Sequence, residues 1–340
     1  MNSTFISPTK KFKLFRTLVL FGAILALCVV VLGAYVRLTD AGLGCPDWPG
    51  CYGTLTVPQS EAAILKAQTV YPHSTIEVGK AWREMAHRYL AGTLGMIVLA
   101  IFALAWRIKR EVNASPWVST SLLAIITFQA MLGMWTVTML LKPAIVSAHL
   151  LGGMTTLAML VWLAHRHWGS YSSNIVNSTL LKFAIRFAIV ILFMQIFLGG
   201  WTSTNYAALA CTDFPTCHGV WMPEMDFKDA FHLVRELGQN ADGGALTLAS
   251  ITAIQWTHRI GALITLIYLG ILALNVLKYG QLKRLGVMLV VALLAQISLG
   301  IANLILHLPL VLAVAHNFTA GVLVIILVVL NSKITGRYQK

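Results

Sequence analysis

The sequence predicts an all-α polytopic membrane protein: eight transmembrane helices in two pseudo-symmetric four-helix bundles, with both termini cytoplasmic. Three observations carry this. Of the 340 residues, 58% are hydrophobic and only 11% charged, whereas a soluble domain carries about 25% charged residues. The apolar residues gather into eight runs, each near the roughly 20 residues that cross a bilayer. The second half of the chain also repeats the first in motif and order. The net charge of +13, from 25 Lys+Arg against 12 Asp+Glu, would suggest nucleic acid in a soluble protein. In a membrane protein such cations sort to loops on one side, so no nucleic-acid partner is expected.

The first run, about 15–36, follows Lys10, Lys11, Lys13 and Arg16. It is too long for a cleavable signal and lacks a small-residue cleavage site. A polar stretch, 37–86, leads to the second run, 87–107. Runs 118–140 and 146–166 make a hairpin closed at Lys142-Pro143, and run 180–202 follows. A second polar stretch, 203–255, precedes 256–277, 285–306 and 310–331, the last two joined by His307-Leu308-Pro309. The chain thus divides into an N-terminal half, 1–170, and a C-terminal half, 171–340, each with four runs and one long loop.

Lys and Arg set the orientation. With the N-terminus inside, 16 of the 25 cations fall on inner segments, among them Arg107, Lys109, Arg110, Lys283, Arg284, Arg337 and Lys340. The other nine, including Arg37, Lys66, Arg88 and Arg259, are spread over the much longer outer loops. Both long loops are then expected outside, in a compartment that permits disulfides. Cys45/Cys51 and Cys211/Cys217 have identical spacing and are expected as disulfides, structural or redox-active. A zinc set would need further ligands, and only His218 stands beside one pair. The run Asp226–Leu237 places Phe227, Phe231 and Val234 on one face behind an Asp226 N-cap. It is expected as a short interfacial helix covering a site from above.

The repeat is explicit. Leu32–Gly53 aligns with Leu198–Gly219 at nine of 22 positions. Glu84-Met-Ala-His87-Arg88 aligns with Gln255-Trp-Thr-His258-Arg259, Gln129 with Gln296, and His149 with His316. An even number of spans per repeat keeps the orientation, so the halves should be parallel repeats. Small residues such as Gly92, Gly95, Gly152, Gly153, Gly199 and Gly200 are expected to allow close helix approach. Gln129, Gln195 and Gln296 are expected to hydrogen-bond between helices.

A histidine inside a span is a functional candidate. His87, His149, His258 and His316 lie near the outer helix ends at equivalent positions of the two halves. His165, His167 and His307 read instead as interfacial hydrogen-bonders, and His73 and His232 as solvated loop residues. Two imidazoles facing across a four-helix bundle suit a haem iron. Zinc would want a third or fourth ligand, and a di-iron site would want more carboxylates than Glu84 alone. Glu84 and His87, three apart, share a helix face. A carboxylate there can accept a proton, whereas Gln255 cannot titrate. The N-terminal half therefore reads as chemical and the C-terminal half as an electron-transfer site. The plainer role for Glu84 is an ion pair with Arg83 or Arg88. Arg88 and Arg259 are candidate haem-propionate partners or snorkelling cations.

Taken together, Arg37-Leu-Thr-Asp-Ala-Gly-Leu-Gly-Cys45-Pro-Asp-Trp-Pro, Glu84-Met-Ala-His87-Arg88, Ala148-His149-Leu-Leu-Gly-Gly, Thr257-His258-Arg259 and Ala315-His316-Asn317 resemble the haem A synthase family, over about Arg16 to Leu330. The resemblance implies a membrane oxidoreductase that converts haem O to haem A by oxidising a ring methyl to a formyl group, for terminal haem-copper oxidases. It implies His87 and His149 flanking substrate haem O, Glu84 as the acidic catalytic residue, and His258 and His316 ligating a haem b cofactor. The implied partners are haem O synthase and a membrane or periplasmic electron acceptor, with room for a homo-oligomer. The competing reading is a bis-histidine di-haem cytochrome relaying electrons from quinol. A transporter fits poorly, because the spans lack midplane charges and broken helices. The 14 residues before the first run contain no arginine, unlike a mitochondrial transit peptide, so a bacterial inner membrane with periplasmic cysteine loops is expected.

Overall fold

A computed structural model describes residues 9–109, 116–168, 178–240 and 242–335. Arg110, Arg337 and Lys340, counted above among the inner cations, lie outside them. The helices are α1 (Lys10–Leu38), α2 (Glu61–Val70), α3 (Val78–Ile108), α4 (Trp117–Thr138), α5 (Pro143–Trp168), α6 (Thr179–Thr204), α7 (Phe227–Ala230), α8 (Leu248–Leu277), α9 (Lys283–Ile305) and α10 (Leu310–Thr335). Eight of them are long and apolar enough to cross a membrane, so the chain is a multi-pass membrane protein. No strand occurs among the described residues, only isolated bridges.

Side-chain caps start several spans: Thr9 accepts from Phe12 N–H, Ser178 from Leu181 N–H and Thr247 from Ser250 N–H. Each accepts an amide that has no partner within the helix. Pro143 opens α5, where its missing N–H costs nothing. Both hairpins turn through two left-handed residues, Leu140-Leu141 and His307-Leu308. Such residues cost about 1–2 kcal/mol each, so this turn is a specified feature that the two halves share.

Helices α1, α3, α4 and α5 pack in a ring, as do α6, α8, α9 and α10. The rings meet where α5 contacts α10, α5 contacts α6 and α1 contacts α10. Exchanging the halves leaves this pattern unchanged. Glycines set the approach at the junction: a Cβ on Gly200 of α6 would stand 2.9 Å from Leu150 of α5, and one on Gly321 of α10 2.9 Å from Leu27 of α1. At the end of the bundle that carries the long loops, Arg37 of α1 donates to Ser203 O (2.8 Å) and to Tyr206 OH (3.1 Å), tying the two repeats together.

Three expectations change. Helix α2 in the first loop was not anticipated. The amphipathic helix over Asp226–Leu237 shrinks to one turn, α7. Asp226 caps it as expected, but Arg235 is buried and donates to the carbonyls of His232 and Gln239 and to Asn205. Those contacts fold the chain back where a helix would run on, and leave Val234 83% exposed. Finally, Gly92 and Gly95 do not mediate helix approach: a Cβ on either meets nothing within 4 Å.

Candidate functional site

His87 on α3 and His149 on α5 face one another, with ring centroids 6.5 Å apart and planes at 84°. Two imidazoles on opposite sides of one metal, with bonds of about 2.0–2.1 Å and ring centres about 1.1 Å behind the ligating nitrogens, place their centroids about 6.3 Å apart. The separation of the pair is of the size that two imidazoles holding one iron between them would need. The rings of His87, His149 and His316 are buried and each meets a backbone carbonyl of a neighbouring span, at Val29, Gln129 and Gln296, the kind of contact that orients a metal-binding imidazole. All four histidines line a cavity of about 1730 Å³, larger than the roughly 300–1,000 Å³ that holds one small ligand.

In the other half, Gln195 Nε2 lies 3.0 Å from His258 Nδ1 and 3.1 Å from His258 O, and Gln296 Nε2 lies 3.1 Å from His316 Nε2. A polar neighbour that fixes the ring of a metal-binding histidine is a normal part of such sites. Gln129 is buried against Gly152 of α5, where a Cβ would collide with its amide. The glutamines read as interhelical bonders thus divide: Gln195 and Gln296 reach the histidines.

Each histidine also rests on a glycine of the neighbouring span. An added Cβ would stand 3.0 Å from His87 Cε1 at Gly33, 3.4 Å from His149 Cε1 at Gly133, 3.2 Å from His258 Cε1 at Gly199 and 3.2 Å from His316 Cε1 at Gly300. Sequence reasoning missed this set. The signal was available, because Gly33 aligns with Gly199 and Gly133 with Gly300.

Glu84 is buried on α3, one turn from His87. Its Oε2 accepts the Cys45 N–H at 2.9 Å, and its Oε1 pairs with Arg88. Gln255 occupies the same seat in the other half: its Oε1 accepts the Cys211 N–H and its Nε2 donates to Ala208 O at 2.5 Å. The arginines grip the outer loops. Arg88 donates to the carbonyls of Asp47 (2.8 Å), Pro49 and Gly50, and Arg259 to those of Thr216 (2.7 Å) and Cys211 (2.9 Å). Both also line the cavity.

Disulfides join Cys45 to Cys51 and Cys211 to Cys217. Asp47 accepts the N–H groups of Tyr52 and Gly53, and Asp213 those of His218 and Gly219. Gly53 and Gly219 stand at φ +75° and +76°, where a side chain would be strained. Thr216, Gly219 and His218 hold the Asp213 carboxyl well below the usual carboxylate range. The His218 ring donates from Nε2 to Ala210 O at 2.8 Å, so its contact is with backbone. At the inner end, His165 Nδ1 meets Ser332 Oγ at 2.9 Å and His167 packs edge-on to Phe12 and Phe15.

The cavity holds both histidine pairs, and among the described residues a carboxylate stands beside only the His87/His149 pair. Comparison with known proteins agrees in extent. A haem A synthase of Shewanella oneidensis is 44% identical over 91% of this chain and 93% of its own length. One of Caulobacter vibrioides is 29% identical over 88% and 90%, and one of Halalkalibacterium halodurans 24% identical over 91% and 94%. The model of the cytochrome oxidase assembly protein family matches residues 16–328. The chain belongs to that family.

Proposed function

We propose that the chain is a haem A synthase, oxidising a methyl group of haem O to a formyl group in successive hydroxylation steps, with the product going to terminal oxidases. The observation that carries this is the pair of matched seats: Glu84 and Gln255 take equivalent backbone contacts, yet only the one beside His87 and His149 can titrate. The name carried by the relatives supports it. His87 and His149 would hold haem O, and His258 and His316 a resident haem b. When bound, the resident haem supplies one-electron redox chemistry.

The chain's own residues do the rest. Gly33 and Gly133 leave the substrate-side imidazoles their places, and Gly199 and Gly300 do the same for the resident pair. Glu84 takes the proton released as the substrate carbon is oxidised and stabilises positive charge developing there. Arg88 pairs with the carboxylate and fixes its position, while locking the Cys45–Cys51 loop over the site. Arg88 and Arg259 face the haem propionates with the donors their loop contacts leave free. The long loops lie on the periplasmic side of a bacterial inner membrane and both termini on the cytoplasmic side, in keeping with the cation distribution. The reading calls for a membrane or periplasmic electron acceptor and for a haem O synthase to supply the substrate.

Glu84→Gln tests the reading cleanly, because Gln255 demonstrates that glutamine keeps the backbone contact. The variant should retain its fold and resident haem, lose haem A formation by about 100-fold, in the range of one acid–base group, and accumulate haem O or a hydroxylated intermediate. Haem A formation at the normal rate would remove Glu84 from the chemistry.

A further inference from the structure

The two halves differ in bulk where their second and third spans meet. Aligned on His87/His258 and Gln129/Gln296, α3 carries Gly92, Thr93 and Gly95 where α8 carries Leu263, Ile264 and Leu266. Likewise α4 carries Thr127 and Ala130 where α9 carries Leu294 and Ile297. The cavity that holds His87 and His149 runs out to this seam. Gly92, Thr93, Leu99, Thr127 and Ala130 line it and are exposed at the protein surface. Among the described residues of α8 and α9 that line the cavity, only Leu263 is exposed. At the far end of the N-terminal opening stand the rings of His87 and His149, which line the same cavity.

We propose that the α3–α4 seam is a lateral portal from the membrane and the slot for the isoprenoid tail of the substrate tetrapyrrole. Leu266 and Ile297 fill the equivalent seam, with the bulkier Leu263 and Leu294 at its exposed rim, so the tetrapyrrole of the C-terminal half has no tail slot and stays resident. The inference rests on the function proposed above and names how that substrate is recognised. An isoprenoid tail gains about 0.8 kcal/mol per buried CH₂ in lipid. It favours a path on which the tail remains in apolar surroundings while the ring passes between the imidazoles. The seam lies within the spans and is built of small and apolar side chains, which suits a flexible hydrocarbon and offers no charged partner.

The test is G92L/A130I, which installs a leucine and an isoleucine as the C-terminal half has them. Space exists at Gly92, and position 130 is exposed. The full-length protein in lipid vesicles is given haem O, or protohaem as the tailless probe, and uptake is followed by absorbance. Haem O uptake should slow at least tenfold, protohaem uptake less than twofold, and resident haem content should be unchanged. Thr127→Leu, at an exposed position, gives the same contrast in a milder form should the double variant fail to fold. Three results overturn the portal. One is unchanged haem O uptake in a variant that keeps its resident haem. Another is equal slowing of both haems, which would place the block at the ring. The third is loss of prenyl-quinone binding with haem O uptake intact. If the unaltered protein takes up no haem O, the proposed function itself fails, and the two failures are distinct.

Discussion

A single carbon added at Gly300 would stand 3.2 Å from Cε1 of His316, and three other glycines sit against their histidines in the same way. Overpacking of this kind costs about 1–3 kcal/mol, or roughly 10–100-fold in the affinity of whatever the imidazole holds. Gly300→Val should therefore lower the haem retained by the purified protein, read as pyridine haemochrome per chain. Gly270→Ala on α8, where a Cβ meets nothing within 4 Å, should leave it unchanged. Equal losses in both variants would assign the effect to helix destabilisation. The histidines themselves were legible in the sequence, because a polar residue stands out in an apolar span and theirs recur in register. The glycines were not. A glycine in such a span reads as room for another helix, and only three dimensions reveal that the room admits an imidazole. Glu84 was legible as the carboxylate its duplicate lacks, and its ion pair with Arg88 was the plainer of the two roles weighed for it. The ion pair is present, and the acid–base role is the one that the Glu84→Gln variant tests.

The outer loops are built twice to one plan. In each, an aspartate two residues after the first cysteine caps the turn before the glycine. The Asp213 carboxyl is held below its ordinary value first by the Thr216 hydroxyl and then by the Gly219 and His218 N–H groups. A depressed carboxylate contributes above its unfolded value, about 3.9, and the contribution is lost as pH falls through the lower folded value. Amide exchange at His218 and Gly219 should stay protected through neutral and mildly acidic pH, with its loss confined to strong acid. Asp213→Ala should raise that exchange several-fold at neutral pH and erase the acid step; unchanged protection would show that the disulfide alone holds the turn. The long helices were readable from hydropathy, but their outer ends were not. Helix α3 begins at Val78 and α8 at Leu248, well before the apolar runs at 87 and 256. Glu84 and Gln255 therefore sit inside a helix that projects beyond its apolar part, and so they reach the loops. The twelve-residue amphipathic pattern at Asp226 misled for a complementary reason: Arg235 takes carbonyl oxygens that a helix would have used.

At the scale of the molecule, the contact pattern survives exchange of the halves while the chemistry does not. Three differences fall on the same side: a carboxylate beside the histidines, small residues at the second seam, and exposed cavity-lining positions there. Duplication supplied one haem-sized unit twice, and the N-terminal copy is the one opened and charged. This division of labour is the central claim, and the pigments test it most directly. Haem extracted from the purified protein and separated by chromatography should contain haem b together with haem O or haem A. Haem b alone, at two per chain, would contradict the account and identify an electron-relaying cytochrome instead.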